Sequence, residues 1–363
     1  MWRALLQCTS VRFVCFYFLA FYAGLAEAGA AHPSWLVLGA GYWFAHSTAT
    51  ELLNRLADRN ADEVNRPERT ALCRQVGYGH LLIAARVGYA VLFALGVVWI
   101  LLVPSPLVIG LLLVANFLSI NYSYGLRLSR SRFLSLAVLA FPFVGSFAGG
   151  WALGHPRLDS VGPGERAQVI AILVVGGLAL ASLSGVKDLT DIAGDRLKGY
   201  RSGWLWLVRG RPGAVGVVVA SLPFATLIGY VAWGVLPARF LALLVLWPAA
   251  LLLANGSRIA GNQIQLMAVR ESFYNYWIVF LALLTILHVG TIMAAVTAVA
   301  NVVCWRLATI YLHWSDDTSL SWLGVVLRLH RGHRIRATSA DSTRTAIPTI
   351  AVAAEAPTKT PRH

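Results

Sequence analysis

The sequence predicts an all-α, polytopic membrane bundle of nine or ten transmembrane helices, with two Asp-rich blocks at one membrane face. Three observations predict it. Apolar residues make up 58% of the 363 residues and charged residues only 13%, and the mean hydropathy is +0.66. The apolar residues gather in runs of about 20, the length of a helix that crosses a bilayer. Five of the 16 acidic residues fall in two short blocks at the ends of such runs.

Taken in order, residues 1–30 have features of a signal peptide: Arg3 precedes an apolar run, and Ala26-Glu27-Ala28-Gly29-Ala30 resembles a small-residue cleavage site. Arg12 interrupts that run, so a retained first helix is expected. Further spans are predicted at 34–54, 80–103, 105–124, 133–154, 168–187, 213–236 and 239–257. The last apolar region, 273–313, is about twice a span long and is interrupted near His288-Val289-Gly290. Loops 55–79, 125–132, 188–212 and 258–272 carry Arg and Lys, which the positive-inside tendency assigns to the cytoplasmic side. The Arg-rich tail joins them only if 273–313 crosses twice, which favours ten helices over nine. The expected division is a membrane bundle over 1–313 and a basic cytoplasmic tail over 314–363. Within the tail, 333–363 is rich in Thr, Ala, Pro and Arg without periodicity, the composition of a disordered segment.

The formal net charge of +14 comes from short loops and the tail. No basic stripe interleaved with aromatics lies in a soluble domain, so nucleic acid is not an expected partner; membrane lipid is. Only Lys187, Lys198 and Lys359 among the 30 basic residues are lysine. We read this bias as genomic composition and expect a bacterial cell membrane, with the site on the cytoplasmic side. Cys8, Cys15, Cys73 and Cys304 show neither zinc nor disulfide-framework spacing. The 13 Trp are expected mostly as interface-belt residues. His46 and Asn116 lie within apolar spans, where interhelical hydrogen bonding is the ordinary role.

The acidic blocks carry the chemistry. Asn54, Asp58 and Asp62 are spaced four and four, and Asp188, Asp191 and Asp195 three and four. On a helix such spacing puts each set on one face, a row about 11 Å long. Carboxylates near lipid are costly and usually face a cavity, a partner or an ion. Two facing rows of oxygen ligands suit Mg²⁺, which binds through one or two carboxylates together with substrate phosphate. Arg66, Arg69, Lys187 and Arg196 stand near the rows and suit phosphate oxygens. Salt bridging in solvated loops would explain either block alone, but not two matching blocks at one face. Their placement also hints at pseudo-symmetry between two halves of the bundle, although no sequence repeat is evident.

These residues resemble the UbiA superfamily of intramembrane prenyltransferases. Asn54, Asp58 and Asp62 fit its N-x-x-x-D-x-x-x-D block, and Asn65-Arg66-Pro67-Glu68-Arg69 fits its N-R-P-x-R continuation. Asp188, Asp191 and Asp195 fit its second acidic block, flanked by Lys187 and Gly194. Tyr122-Ser123-Tyr124, followed by Arg127 and Arg130, resembles its Tyr-Ser-then-basic segment. The resemblance spans about residues 30–290. Arg55 stands where many members carry Asp, Thr70 where Pro is common, and Arg201-Ser202 replaces Lys/Arg-Thr.

The resemblance implies that Asn54, Asp58, Asp62, Asp188, Asp191 and Asp195 bind Mg²⁺, with Asp58 and Asp191 catalytic. It implies that Arg66, Lys187, Arg127, Arg130 and Tyr122 contact an isoprenyl diphosphate or its acceptor. Loss of diphosphate would leave an allylic carbocation, attacked by a small aromatic or other lipophilic acceptor. Two rival readings remain open at this point: a terpene cyclase on the same fold, and a transporter or scaffold binding cations at its Asp rows. Transporters usually place such groups at the midplane on broken helices, whereas both rows here sit at one face beside Arg and Lys.

Overall fold

The computed structural model describes residues 2–131, 134–157, 161–192, 194, 213–313 and 325–327, the side chain of Arg130 excepted. Asp195 and most of the predicted tail lie outside the described residues, which are helical throughout with no strand. The first segment is bent: α1 (Trp2–Cys8) and the 3₁₀ turn with α2 (Val14–Glu27) meet at 57°. Ser10, at φ 49°, forms the corner. α3 (Pro33–Ala57), α4 (Arg59–Asn65) and α5 (Pro67–Val76) lead to the membrane helix α6 (Tyr78–Leu102). There follow α7 (Pro106–Ser123), α8 (Leu134–Gly154) and α9 (Pro163–Ser184). α10 (Gly213–Ala232), α11 (Trp247–Ile259), α12 (Gln263–Val289) and α13 (Ile292–Leu312) complete the described bundle.

Local sequence explains the breaks. Proline at the first turn, where its missing N–H costs nothing, starts α3, α5, α7 and α9. His32, Ser105, Asn262 and Thr291 cap α3, α7, α12 and α13 with side-chain acceptors. The long apolar run predicted as one or two crossings is two helices, because Gly290 takes the left-handed conformation (φ 68°) and ends α12.

Eight described helices are long and apolar enough to cross a membrane, nine if the bent first pair counts as one span. α3 has 25 residues and packs in the same bundle, but its inner half carries His46, Ser47, Thr48, Thr50, Glu51, Asn54 and Arg55. That polarity has a purpose visible in its packing. On the side facing α7, His46 Nε2 reaches the Ala115 carbonyl at 3.2 Å, Thr50 meets the Ser119 hydroxyl at 2.5 Å, and Ser123 donates to Asn54 Oδ1. Positions 46, 50 and 54 thus face 115, 119 and 123 in a ladder of period four, and Tyr89 of α6 joins it at Ser119, 2.8 Å away. In lipid such interhelical hydrogen bonds are a main source of helix association. His46 therefore has the role expected of it.

α2 lies at the centre, against α8, α12, α3 and α13. Its crossing with α8 depends on small residues: a Cβ on Gly24 would strike the Phe147 carbonyl oxygen, and one on Gly150 the Phe21 carbonyl oxygen. Around this crossing Trp43, Trp99, Trp151, Trp277 and Trp305 are buried. This corrects the belt expectation for at least these five: large rings fill interhelical space that a Leu would leave open, at centroid separations of 4.7–6.3 Å to their aromatic neighbours. The four cysteines are free, with Cys8 and Cys73 Sγ atoms 3.7 Å apart.

Gly24→Val and Gly150→Val should each sharply reduce the yield and thermal stability of the detergent-solubilised protein. Gly79→Ala on α6, where an added methyl meets nothing within 4 Å, should leave stability unchanged or raise it by up to about 1 kcal/mol. Equal behaviour of the three variants would refute the close-approach account.

Candidate active site

The inner end of α3 does not continue as one helix through the first acidic block. Asp58 is the residue at which α3 stops and α4 begins, so Asn54 and Asp62 belong to different helices. The second block breaks similarly: α9 tightens at Ser184 into a 3₁₀ turn over Gly185–Thr190, with Asp188 inside the turn and Asp191 just after it. The expected straight rows are therefore corrected to two bent segments. Bending lets both blocks curve over one opening. Asn54, Asp58, Asp62, Asp188 and Asp191 all line a single cavity of about 590 Å³, together with Arg66, Tyr122, Arg127 and Lys187. That volume is within the usual range of a small-molecule site. Of the predicted site residues, Asp195 and the Arg130 side chain lie outside the described residues.

The two blocks are joined directly. Arg66, in the segment between α4 and α5, forks onto Asp191 with Nε and Nη2 at 2.9 and 2.6 Å from its oxygens. One residue earlier, Asn65 Oδ1 accepts the Gly194 N–H at 2.6 Å. Gly194 is required there, since a Cβ would meet the Ala61 carbonyl oxygen at 2.5 Å. Arg69 pairs with Asp62. Lys187 Nζ lies 2.9 Å from Asp188 Oδ1 and 3.3 Å from the Tyr122 hydroxyl. Arg127 borders the cavity in the left-handed conformation at φ 51°, costly for a residue with a side chain and the kind of strain found near functional sites.

Burial pushes the Asp191 carboxyl up, but the neighbouring guanidiniums of Arg66 and Arg69 more than offset it and bring it down to about 2. Burial alone would lower Arg66, and Asp191 reverses that into a raised value. Arg69 is lowered to about 10 by burial and by Arg55 and Arg66 beside it.

Sequence reasoning missed a buried charged layer in the cavity wall. Arg12 Nη1 and Nη2 fork onto Glu271 at 2.8 and 3.2 Å, and Arg270 Nη2 shares the same carboxylate at 2.8 Å. Arg270 Nη1 and Arg66 Nη2 both donate to the Thr190 hydroxyl at 3.2 Å, and that hydroxyl donates to Asp191 Oδ1 at 3.1 Å. The Arg12 guanidinium also sits over the rings of Phe13, Tyr274 and Trp305 at 4.9–5.3 Å. The signal was present, because charges within apolar spans rarely lack a partner: Arg12 interrupts the first run, and Arg270-Glu271 precede the last. Their pairing across 259 positions was not legible. Arg55, the departure from the usual Asp, turns out of the acidic block onto Ser10 and the Cys8 carbonyl.

The same cavity is also lined by the aromatic residues Phe13, Phe16, Tyr17, Phe273, Tyr274 and Trp277. A cavity with both charged and aromatic walls suits a ligand with an anionic head and a hydrocarbon tail. Comparison with known proteins agrees. The model of the UbiA prenyltransferase family matches residues 14–263. The chain belongs to the UbiA prenyltransferase family. Both acidic blocks, through the last described residue of the second, lie inside the matched range. A solved structure of a digeranylgeranylglyceryl phosphate synthase is 12% identical, with a TM-score of 0.55 over 80% of this chain and all of that one; at that identity the likeness is one of fold. No curated protein matches significantly. Family membership makes the chain a membrane-embedded prenyltransferase, the enzyme class the two blocks implied.

The Arg66–Asp191 pair sets a pH dependence. A carboxyl depressed to about 2 contributes stability that is present above its unfolded value of about 4 and is lost as pH falls through the folded value. Arg66→Gln removes the largest lowering influence, so the midpoint of acid unfolding should move to higher pH. A midpoint identical to that of the parent protein would show that the pair contributes nothing to the fold.

Proposed function

We propose that the protein transfers an isoprenyl group from an isoprenyl diphosphate to a small aromatic or other lipophilic acceptor, using Mg²⁺ at the cytoplasmic face. The observation that carries this reading is the convergence of both acidic blocks with Arg66, Lys187, Arg127 and Tyr122 on one cavity that aromatic side chains also line. The basic loops on that side support the cytoplasmic assignment.

The residues present fit Mg²⁺. No three carboxylate, imidazole or thiol side chains converge tightly among the described residues, but Mg²⁺ needs only one or two carboxylates, completing its shell with water and substrate phosphate. Asn54, Asp58, Asp62, Asp188 and Asp191 supply hard oxygens from two sides of the cavity, with Asp195 as the sixth of the proposed set. Bound there, the ion neutralises the diphosphate and makes it a better leaving group.

The remaining work falls to the protein. Arg66, Lys187, Arg127 and Tyr122 line the mouth and bind phosphate oxygens, Arg66 with the fork geometry that suits them; Arg130 is proposed for the same task. Arg66 and Lys187 are held at Asp191 and Asp188, within reach of the diphosphate, and exchange part of that pairing for phosphate as the substrate enters. Asp58 and Asp191 are the catalytic pair, one from each block, across which the donor's reacting end is aligned. The aromatic wall holds the isoprenyl chain, excludes water and faces the developing allylic cation with π-electron density.

Purified protein in nanodiscs, given geranyl, farnesyl or geranylgeranyl diphosphate with Mg²⁺, should release little diphosphate until a mixture of aromatic acceptors is added, and then form prenylated adducts. A chelator should stop the reaction. A cyclised hydrocarbon or alcohol formed from donor alone would replace this reading with a terpene cyclase; silence under all conditions would reject both. Asp58→Ala and Asp191→Ala should abolish turnover in protein that remains folded and inserted, and activity surviving in both would reject the metal assignment. Arg66→Ala should raise the donor KM about 10- to 100-fold, the worth of a charge-assisted hydrogen bond; an unchanged KM would remove Arg66 from the phosphate site.

A further inference from the structure

Cys8 and Cys73 are brought together by the fold and have no part in the site described above. We infer that they form a redox modification site, a thiol pair that a hydroperoxide oxidises to a disulfide and a dithiol restores, locking α1 onto α5.

The two residues are 65 positions apart and belong to different helices, yet their Sγ atoms lie 3.7 Å from each other. A disulfide holds its sulfurs at about 2.05 Å, so the pair has about 1.7 Å to close, a movement that two side-chain rotations can share. α1 and α5 already pack together, and the sulfurs meet in a small cluster with Ala4, Leu52, Val76, Leu81 and Ala85. Packing alone accounts for one small buried thiol. It does not call for two thiols from separate helices in contact.

The surroundings favour oxidation. Arg55 Nε donates to the Cys8 carbonyl at 3.3 Å, and Arg69 lies one turn before Cys73 on α5. The hydrogen bond with Cys8 holds the Cys73 thiol below its ordinary value; burial opposes this, and the guanidiniums of Arg55 and Arg69 assist it. Thiols beside cations are the reactive ones. Both cysteines are buried, so the oxidant has to be small. Ser10, Arg55 and Arg69 line the cavity, which gives hydrogen peroxide a polar approach to the pair.

The loop that the bond closes, residues 8–73, contains α2, α3, the whole first acidic block and Arg66. A cross-link restricts the unfolded chain more as the loop it closes grows, so this one steadies the part of the wall that carries the block. On the side proposed as cytoplasmic, thiols are kept reduced, and such a bond forms under oxidative load and reverses after it.

The step balances. The Cys73 thiolate attacks one peroxide oxygen and the O–O bond breaks, leaving a sulfenic acid and hydroxide, which takes up the thiol's proton as water. The Cys8 sulfur then attacks the sulfenic sulfur; the S–S bond forms, and the hydroxyl leaves with the Cys8 proton as a second water. Two thiols are oxidised and one peroxide is reduced to two waters. A dithiol reverses the bond by exchange and is itself oxidised to a disulfide.

The test uses the full chain in nanodiscs, titrated with hydrogen peroxide, alkylated in denaturant and digested for mass spectrometry. All four cysteines are free at the start. Alkylated thiols should fall from four to two, with Cys8 and Cys73 recovered in one cross-linked peptide and Cys15 and Cys304 still alkylated. Thermal unfolding should shift upward, and dithiothreitol should reverse both changes. Cys8→Ser and Cys73→Ser should each show no cross-link and no upward shift. Cys8→Ser, which lacks the second thiol, should instead accumulate sulfinic acid on Cys73. Should either variant fail to fold, the mapping of the parent protein decides alone. Four alkylated thiols after peroxide, a bond mapped to another pair, or separate oxidation of Cys8 and Cys73 to acids overturns the inference. A mapped bond without a thermal shift overturns the locking of α1 onto α5. None of these readouts depends on the proposed prenyl transfer.

Discussion

The contact between the two acidic segments, Arg66 on Asp191 with Asn65 on the Gly194 N–H, is the constraint on which the site depends. The residues come from loops 125 and 129 positions apart, at the inner ends of helices that would otherwise repel each other with clustered carboxylates. Like charges brought together in a poorly solvated place are costly, and each acid must meet a cation, a donor or a metal. Alternating Asp with Arg and Lys solves this within the protein. It also leaves carboxylates and cations interleaved along one cavity, the arrangement that the proposed metal and diphosphate would require. The pair is partly buried, so losing one partner leaves a poorly solvated charge without its counter-ion, and the segments hold each other in register.

Two further layers set the geometry. The α3–α7 ladder fixes the rotation of α3, so that Asn54 and the neighbouring cavity-facing residues do not turn toward lipid. In the cavity wall, Arg12, Glu271, Arg270 and Thr190 form a continuous chain of hydrogen bonds that ends on Asp191 and Arg66. This chain links the bent first segment and α12 to the second acidic block. The aromatic interior lies against it, so the polar mouth and the apolar chamber share one wall.

Much of this was legible in the sequence. Apolar run lengths give the helices, prolines and glycines their ends, and the repeated acidic spacing marks the residues that line the cavity. The straight Asp rows were not correct, because Asp58 and the Gly185–Thr190 turn break both helices. The five buried Trp residues were not told apart from belt residues for a different reason. A Trp in an apolar run has the same sequence signature whether it reaches the interface or fills the core.

By itself, then, the sequence determined the membrane class, the span lengths, the family and the identity of the charged groups, because bilayer thickness and the cost of charge in lipid act on local composition. The tertiary structure decided which cation meets which carboxylate, and that Arg55 reaches Ser10 and the Cys8 carbonyl rather than the acidic blocks. The physical reason is that a helix in lipid is apolar on both its core and its outer face. The amphipathic stripe that orients a helix in water is largely absent, and rotation about the helix axis is set by small-residue crossings such as Gly24 with Gly150 and by polar ladders between partners far apart in the chain.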